Sequence, residues 1–262
     1  MHGFCDQLDS KIISEDLSDY LCKPEVHILD TIDSTNNYAR KLILEGEKTG
    51  LVVANHQTAG KGRTGHDFYS PQDTGIYMSY FFTPGYGLEL ASSVTTRTAV
   101  SVATVLENLF HESFMIKWVN DIYLGSRKIC GILTEAVTSG INVGSIIVGI
   151  GINVTTATFP DEIKDSAGSL PASMISRNEI ISGIMKSLIP ALNVPADNKE
   201  YVSDYRSRLM MVGENVSFVE NGVTKYGTVL GVDDECGLLV ASDTGEVRTI
   251  RNGEVSTLRT SP

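Results

Sequence analysis

The sequence predicts an α+β protein: a mixed-sheet core over residues 26–210, then a small β-barrel over residues 211–262, behind a short polar lead of residues 1–25. Three observations carry this. The 262 residues are 42% hydrophobic, enough for one full core and a smaller module. Between Val26 and Leu192, apolar runs of strand length are interleaved with segments of helical period. From Gly213 the texture changes to short apolar runs punctuated by glycine turns.

Each element follows from its residues. HILDTI, just after Val26, reads as a strand. Ser34 is placed to cap the helix STNNYARKLILEG, whose Tyr38, Ala39, Leu42 and Ile43 share a face and whose Gly46 ends it. GLVVANHQ is a buried strand, and Gly75 to Phe82 is another, rich in aromatics. Leu88 to Phe110 is helical by periodicity, with Val94, Val102, Val105, Leu109 and Phe110 spaced for one face. IKWVNDIYL, the turn Gly125-Ser126-Arg127 and KICGIL read as strand, turn, strand. INVGSIIVGIGINV supplies one or two more core strands, Phe159 to Leu170 is polar and irregular, and Ile180 to Leu192 is an amphipathic helix. Beyond Gly213 the turns Asn221-Gly222, Cys236-Gly237, Thr244-Gly245 and Asn252-Gly253 divide roughly 50 residues into strands of a barrel, SH3-like in size.

Charge and composition exclude several functions. A net charge of −11 argues against duplex nucleic acid, because phosphate backbones select clustered Lys and Arg. The lead is too short for a helix-turn-helix domain, which needs on the order of 60 residues to build a core. Cys5, Cys22, Cys130 and Cys236 show no metal-ligand spacing and read as reduced thiols of a cytosolic protein. The N-terminus lacks the apolar stretch of a signal peptide, and SIIVGIGINV is half the length of a membrane span and broken by glycine. A soluble, cytoplasmic protein is expected.

Four segments carry chemistry. In the first, Ile116 to Leu133, a hairpin would bring Asp121 and Lys128 to one pocket edge, where the amine stabilises a developing anion and the carboxylate holds a metal or orients a nucleophile. An ordinary hairpin with a solvated ion pair has the same sequence. In the second, Gln57 to Gly65, the glycines Gly60, Gly62 and Gly65 fit G-x-G-x-x-G, but HDFYSPQDTG after them is turn-rich and does not open a helix as a dinucleotide fingerprint must. Lys61 and Arg63 on this backbone suit an anion or polyphosphate, and an exposed basic loop accounts for them as well. In the third, Ser34-Thr35-Asn36 at a helix start cap the helix and leave hydroxyl and amide groups for a polar ligand. In the fourth, VGIGINV, glycines inside a strand admit close approach by a ligand or, more commonly, a neighbouring element, and Asn153 is polar amid apolar neighbours.

In order and spacing these segments resemble the biotin protein ligase family over Val26 to the C-terminus. Ser34-Thr35-Asn36 looks like its biotin-contacting segment, QTAGKGRTG is similar to its GRGRxG loop, KWVNDI resembles its KWPND signature, and Lys128 falls where the family places its essential lysine. GIGIN and the C-terminal barrel match as well. There are two departures. Lys61 replaces an arginine and keeps charge without bidentate geometry. Val119 replaces a proline and restores an N–H. The resemblance implies a catalytic core like that of class II aminoacyl-tRNA synthetases and an SH3-like domain behind it. The family's DNA-binding N-terminal domain has no counterpart in the lead, which points to the ligase-only type.

The implied reaction is ATP-dependent: biotin and ATP form biotinyl-5′-AMP and pyrophosphate, and a lysine of a biotin carboxyl carrier protein then takes the biotin. The resemblance assigns catalysis to Lys128, Arg63 and Asp121, with Asp121 also the expected Mg²⁺ ligand. It assigns biotin to Ser34, Thr35, Asn36, Gln57, Lys61, Gly62, Arg63, Lys128 and Gly131, and ATP or adenylate to Lys61, Arg63, Asn120, Lys128 and Asn153. Lys117, beside Trp118, reads as structural support. A homodimer is common in the family. The rivals are a lipoate or octanoate ligase, whose usual arginine-rich motif is missing, a catalytically silent biotin or adenylate sensor, and a plain nucleotide-binding module.

Overall fold

Strand β3 (Gly75–Phe82) is buried at every position and lies inside a sheet, paired with a neighbouring strand on each edge. A computed structural model of the chain describes residues 6–20, 23–84, 89–139, 142–195, 197–220, 222–251, 253 and 255–258. Cys5, Cys22, Leu88, Asn221 and Asn252 lie outside the described residues.

Helix α1 (Ser10–Asp16) precedes β1 (Glu25–Ile32), α2 (Thr35–Leu44) and β2 (Thr49–Gln57); after β3 come α3 (Glu89–Phe110), β4 (Phe114–Lys117), β5 (Asp121–Leu124), β6 (Arg127–Ser139) and β7 (Asn142–Asn153). Among the described residues these strands form a seven-stranded sheet in the order β1-β2-β3-β7-β6-β5-β4. It is mixed, because β1 and β2 are parallel and the remaining pairs antiparallel. Helices α4 (Arg177–Leu192) and α5 (Glu200–Arg208) lead to β8 (Asn215–Glu220), β9 (Val223–Val232), β10 (Leu238–Ala241), β11 (Val247–Ile250) and β12 (Val255–Thr257), the antiparallel SH3-like barrel.

Alternation along β3, β6 and β7 gives the sheet two different faces. Ile76, Met78, Ile132, Val148, Ile150 and Ile152 enter the main core with residues of α3 and α4 such as Val102, Leu106, Ile181 and Leu188. On the other face α2 covers only one end, through Ala39 and Leu42 against Val52, Phe81 and Ile147. The rest of that face is left for a cavity.

The structure differs from the expectations in three places. IKWVNDIYL is two strands, β4 and β5, joined at Trp118–Asn120, since buried Asn120 turns its amide to the Ile132 carbonyl, 2.7 Å away. The Trp118–Val119 peptide is cis. The polar lead contains α1, whose Ile13, with neighbouring Leu17, is fully buried; Asp9 caps it, accepting from the Lys11 N–H at 2.8 Å. Its Asp6 carboxylate accepts from buried Arg177 Nε at 2.8 Å, tying the lead to α4. Helix α5 has no counterpart among the expected elements, while β7 is one strand, within the one or two expected of its segment.

The barrel shares the main core through Val216, Phe218, Leu238 and Val240, and Trp118 Nε1 donates to the Cys236 carbonyl across the junction at 2.8 Å. Cys130 and Cys236 are free and buried. Burial pushes the Cys236 thiol up to about 11 and the Cys130 thiol higher, so both stay protonated at neutral pH. Among the described residues no helix is long and apolar enough to cross a membrane.

Candidate active site

Glycine forms the floor of the half of the sheet face that α2 leaves free. Gly151 lies opposite Gly131 and Gly149 opposite Leu133, and hydrogen at these three glycines occupies positions where the other face carries isoleucine. A cavity of about 250 Å³ opens above it, between the start of α2, the 58–68 loop, the β5–β6 hairpin and Gly253, Val255 and Ser256 at the rim of the barrel. The glycines serve close approach: a Cβ on Gly149 would lie 2.4 Å from Asn36 Oδ1, and one on Gly151 2.5 Å from the Phe68 ring.

Helix α2 presents its N-terminus to this cavity. Ser34 holds the N-cap position but makes no capping hydrogen bond with its side chain, contrary to expectation, and the side chain lines the cavity. The first helical N–H, that of Thr35, donates to Gln57 Oε1 at 2.8 Å, so a side chain from β2 satisfies one of the helix's orphan donors.

A β-bulge sets the cation. Ile122 opposes Cys130, but the next pair is Tyr123 with Lys128, leaving Ile129 as the extra residue. In unbroken register Lys128 would oppose Leu124 and point away from Asp121. The bulge turns it to the cavity face, where Nζ lies 2.8 Å from Asp121 Oδ2, and sends Ile129 into the core. The backbone of Lys128 is gripped on both sides: its N–H donates to Ser166 O at 2.7 Å and its carbonyl accepts from Gly168 N–H at 2.9 Å. Opposite it, burial pushes the Tyr123 phenol up to about 12, so it remains neutral.

The glycine loop bends back on itself. Phe68 N–H donates to Gly60 O at 2.9 Å and Gly62 N–H to His66 O at 2.7 Å, with one 3-10 turn at Arg63–Gly65 and no α-helix behind it. Three side-chain bonds dock the loop. Lys61 Nζ donates to Asn37 Oδ1 at 2.6 Å, and Arg63 donates through Nη1 to Asn120 Oδ1 and through Nη2 to Gly253 O, each at 3.2 Å. The Asn37 amide, with the Lys61 ammonium nearby, holds the Asp33 carboxyl below its usual range. Arg63 thereby links the loop to both the core and the barrel.

The cavity brings together Ser34, Thr35, Asn36, Gln57, Lys61, Gly62, Arg63, Asn120, Asp121, Lys128 and Gly131. Asn153 is not among its lining residues. Its Nδ2 donates to Gly168 O at 3.0 Å, supporting the turn that grips Lys128. His66, Asp67 and Phe68, which follow the glycine loop and fold back beside it, also line the cavity, as do Val255 and Ser256 of the barrel, none of them a residue the sequence marks for the site. Lys117, read as support, also lines the cavity. Its register partner is Asp121, a pairing visible only once β4 and β5 are separated.

The Biotin/lipoate A/B protein ligase family matches residues 28–153, and the Biotin protein ligase C terminal domain matches residues 212–258. The bifunctional ligase/repressor BirA of Bacillus spizizenii is 35% identical over 228 residues, spanning 82% of this chain and 69% of the relative. The biotin–[acetyl-CoA-carboxylase] ligase of Mycobacterium tuberculosis is 27% identical over 227 residues, with 80% and 79% covered. A biotin protein ligase from Aquifex aeolicus, solved in complex with biotin and ATP, superposes with a TM-score of 0.75 at 29% identity, over 90% of this chain and 99% of that one. With this architecture, these two matched regions and these relatives, the chain belongs to the biotin protein ligase family.

Proposed function

We propose that this cavity activates biotin with ATP and hands it to a lysine of a biotin carboxyl carrier domain. The observation that carries the reading is the bulge-directed Lys128, paired with Asp121 on the cavity wall and faced by the cationic loop of Lys61 and Arg63. A carboxylate does not acylate an amine at neutral pH. The biotin carboxylate first attacks the α-phosphorus of ATP, pyrophosphate leaves, and biotinyl-5′-AMP remains. Two anions must meet in that step, and the Lys128 ammonium offsets both their repulsion and the charge that builds. The carrier's neutral amine then attacks the acyl carbon and AMP departs, with Asp121 placed to orient the amine.

Magnesium has a fitting donor set. Asp121 Oδ1 is buried with no hydrogen-bond partner among the described residues, and Asp67 lines the same cavity. One or two carboxylates plus substrate phosphates satisfy a cation that keeps most of its water. When bound, the ion supplies charge neutralisation on the polyphosphate. The ureido end of biotin is assigned to Ser34, Thr35, Asn36 and Gln57, and the triphosphate to the loop cations.

The test is ATP–pyrophosphate exchange, expected only when biotin and ATP are both present, with mass spectrometry showing one biotinyl adduct on a carrier domain. Exchange driven by lipoate and not biotin would overturn the reading. The glycine loop acts here as a lid that keeps water from the mixed anhydride. Amides of residues 58–66 should therefore exchange more slowly once biotin and MgATP are bound, and equal protection with and without them would rule the lid out.

A further inference from the structure

One charged group outside the cavity's lining is hydrogen-bonded to its polar end. Glu135 lies on β6 on the same face as Gly131 and Leu133, two residues beyond Leu133, the last β6 residue to line the cavity. Its Oε1 accepts from Arg40 Nη2 at 3.2 Å and its Oε2 from Asn36 Nδ2 at 2.7 Å. Asn36, 4% exposed, turns Oδ1 to the Ser79 hydroxyl at 2.6 Å, and Ser79, fully buried, lies 2.8 Å from Thr35 Oγ1. Thr35 Oγ1 is in turn 3.1 Å from Gln57 Oε1, while Gln57 Nε2 donates to Ser70 Oγ at 2.9 Å and Ser70 donates to the Phe68 carbonyl at 2.9 Å.

Asparagine amides and hydroxyls are ambiguous by themselves, since each can donate or accept; a carboxylate can only accept. We propose that Glu135, held by Arg40, is a positioning residue that fixes the donor–acceptor polarity of the cavity's polar end and so selects a ligand offering N–H donors there. The inference rests on the reading of the cavity as a biotin site. The polarity propagates in steps. Glu135 compels Asn36 to present its NH₂ outward and its oxygen to Ser79. Ser79 must spend its only proton on that oxygen. At the far end the Thr35 N–H fixes Gln57 Oε1 toward α2. The Thr35 hydroxyl then has an acceptor on either side, Ser79 Oγ or Gln57 Oε1, and its proton stays inside the relay. What Thr35 Oγ1 offers a ligand is a lone pair, matching an N–H of a cyclic urea and nothing on a dithiolane.

A swap of donor and acceptor tests this. Asn36→Asp alone sets two carboxylates against each other and is expected to weaken biotin binding, measured by isothermal titration, roughly tenfold or more. Adding Glu135→Gln turns that contact round: the new amide donates to the introduced carboxylate, whose second oxygen still accepts from Ser79. The double variant is expected to recover to within about threefold of the wild type. Glu135→Leu should weaken biotin roughly tenfold while the KM for ATP stays unchanged. Failure of the double variant to recover, or wild-type biotin affinity in Glu135→Leu, overturns the proposal. A wild-type protein that binds no biotin would instead overturn the reading of the cavity. Thermal melting of each variant separates lost binding from lost fold.

Discussion

Lys128→Ala is expected to lower the rate of biotin-dependent ATP–pyrophosphate exchange about 10²- to 10³-fold, the usual cost of removing one preorganised charge from a developing anion. The same substitution should barely move the melting temperature. Lys128 and Asp121 retain 33% and 23% of their side-chain exposure, and a pair that wet contributes about 1 kcal/mol or less to stability. The backbone of residue 128 is fixed independently by Ser166 and Gly168, so alanine keeps the bulge and the hairpin. Rate and stability therefore separate, which a merely structural lysine would not allow. Lys128→Arg keeps the charge but carries a planar head on a longer reach, and recovers only part of the rate. Near-normal exchange by the alanine variant would refute the role.

The sheet and its helices were legible because burial on one or both faces imposes a period. Residues 75–82, apolar almost throughout, could only be an interior strand, and α2 announces its buried stripe through Ala39 and Leu42. Several residues that line the cavity were legible through composition: cations among glycines, and polar groups at a helix start. What the sequence did not disclose was register. Lys128 and Gly131 are an odd number of residues apart, so a regular strand would place them on opposite faces; only the bulge at Ile129, a product of pairing with β5, puts both at the cavity. The break of IKWVNDIYL into β4 and β5 was hidden for the same reason, since Val119 and Trp118 have strand propensity and tertiary contacts of Asn120 and Trp118 override it. Asn153 was drawn into the site by its polarity, whereas its amide satisfies the Gly168 carbonyl one layer behind Lys128. The barrel's share of the rim, Val255 and Ser256, arises from packing between segments far apart in the chain and leaves no local mark.

Gly149→Ala is expected to raise the biotin KM at least about tenfold, with the KM for ATP little changed, and to destabilise the fold by about 1–3 kcal/mol. The strand is extended there, so alanine fits the backbone; the obstacle is space. The new Cβ would sit 2.4 Å from Asn36 Oδ1, and that amide cannot swing aside without giving up its bonds to Ser79 and to Glu135. The neighbouring glycine makes the contrast. At Gly131 a Cβ would meet Lys128 Cε and the Phe68 ring at 3.3 Å, the first a flexible stem that gives way by displacing its own ammonium. Gly131→Ala should therefore depress kcat more than it raises the biotin KM, and cost less stability than Gly149→Ala. Steady-state exchange kinetics and thermal melts on the two variants distinguish these outcomes. If both glycines served only to let strands pack, the two substitutions would lower stability and leave the KM-against-kcat pattern the same. Opposite patterns would mean that one glycine keeps the polar end of the cavity open and the other keeps Lys128 on target.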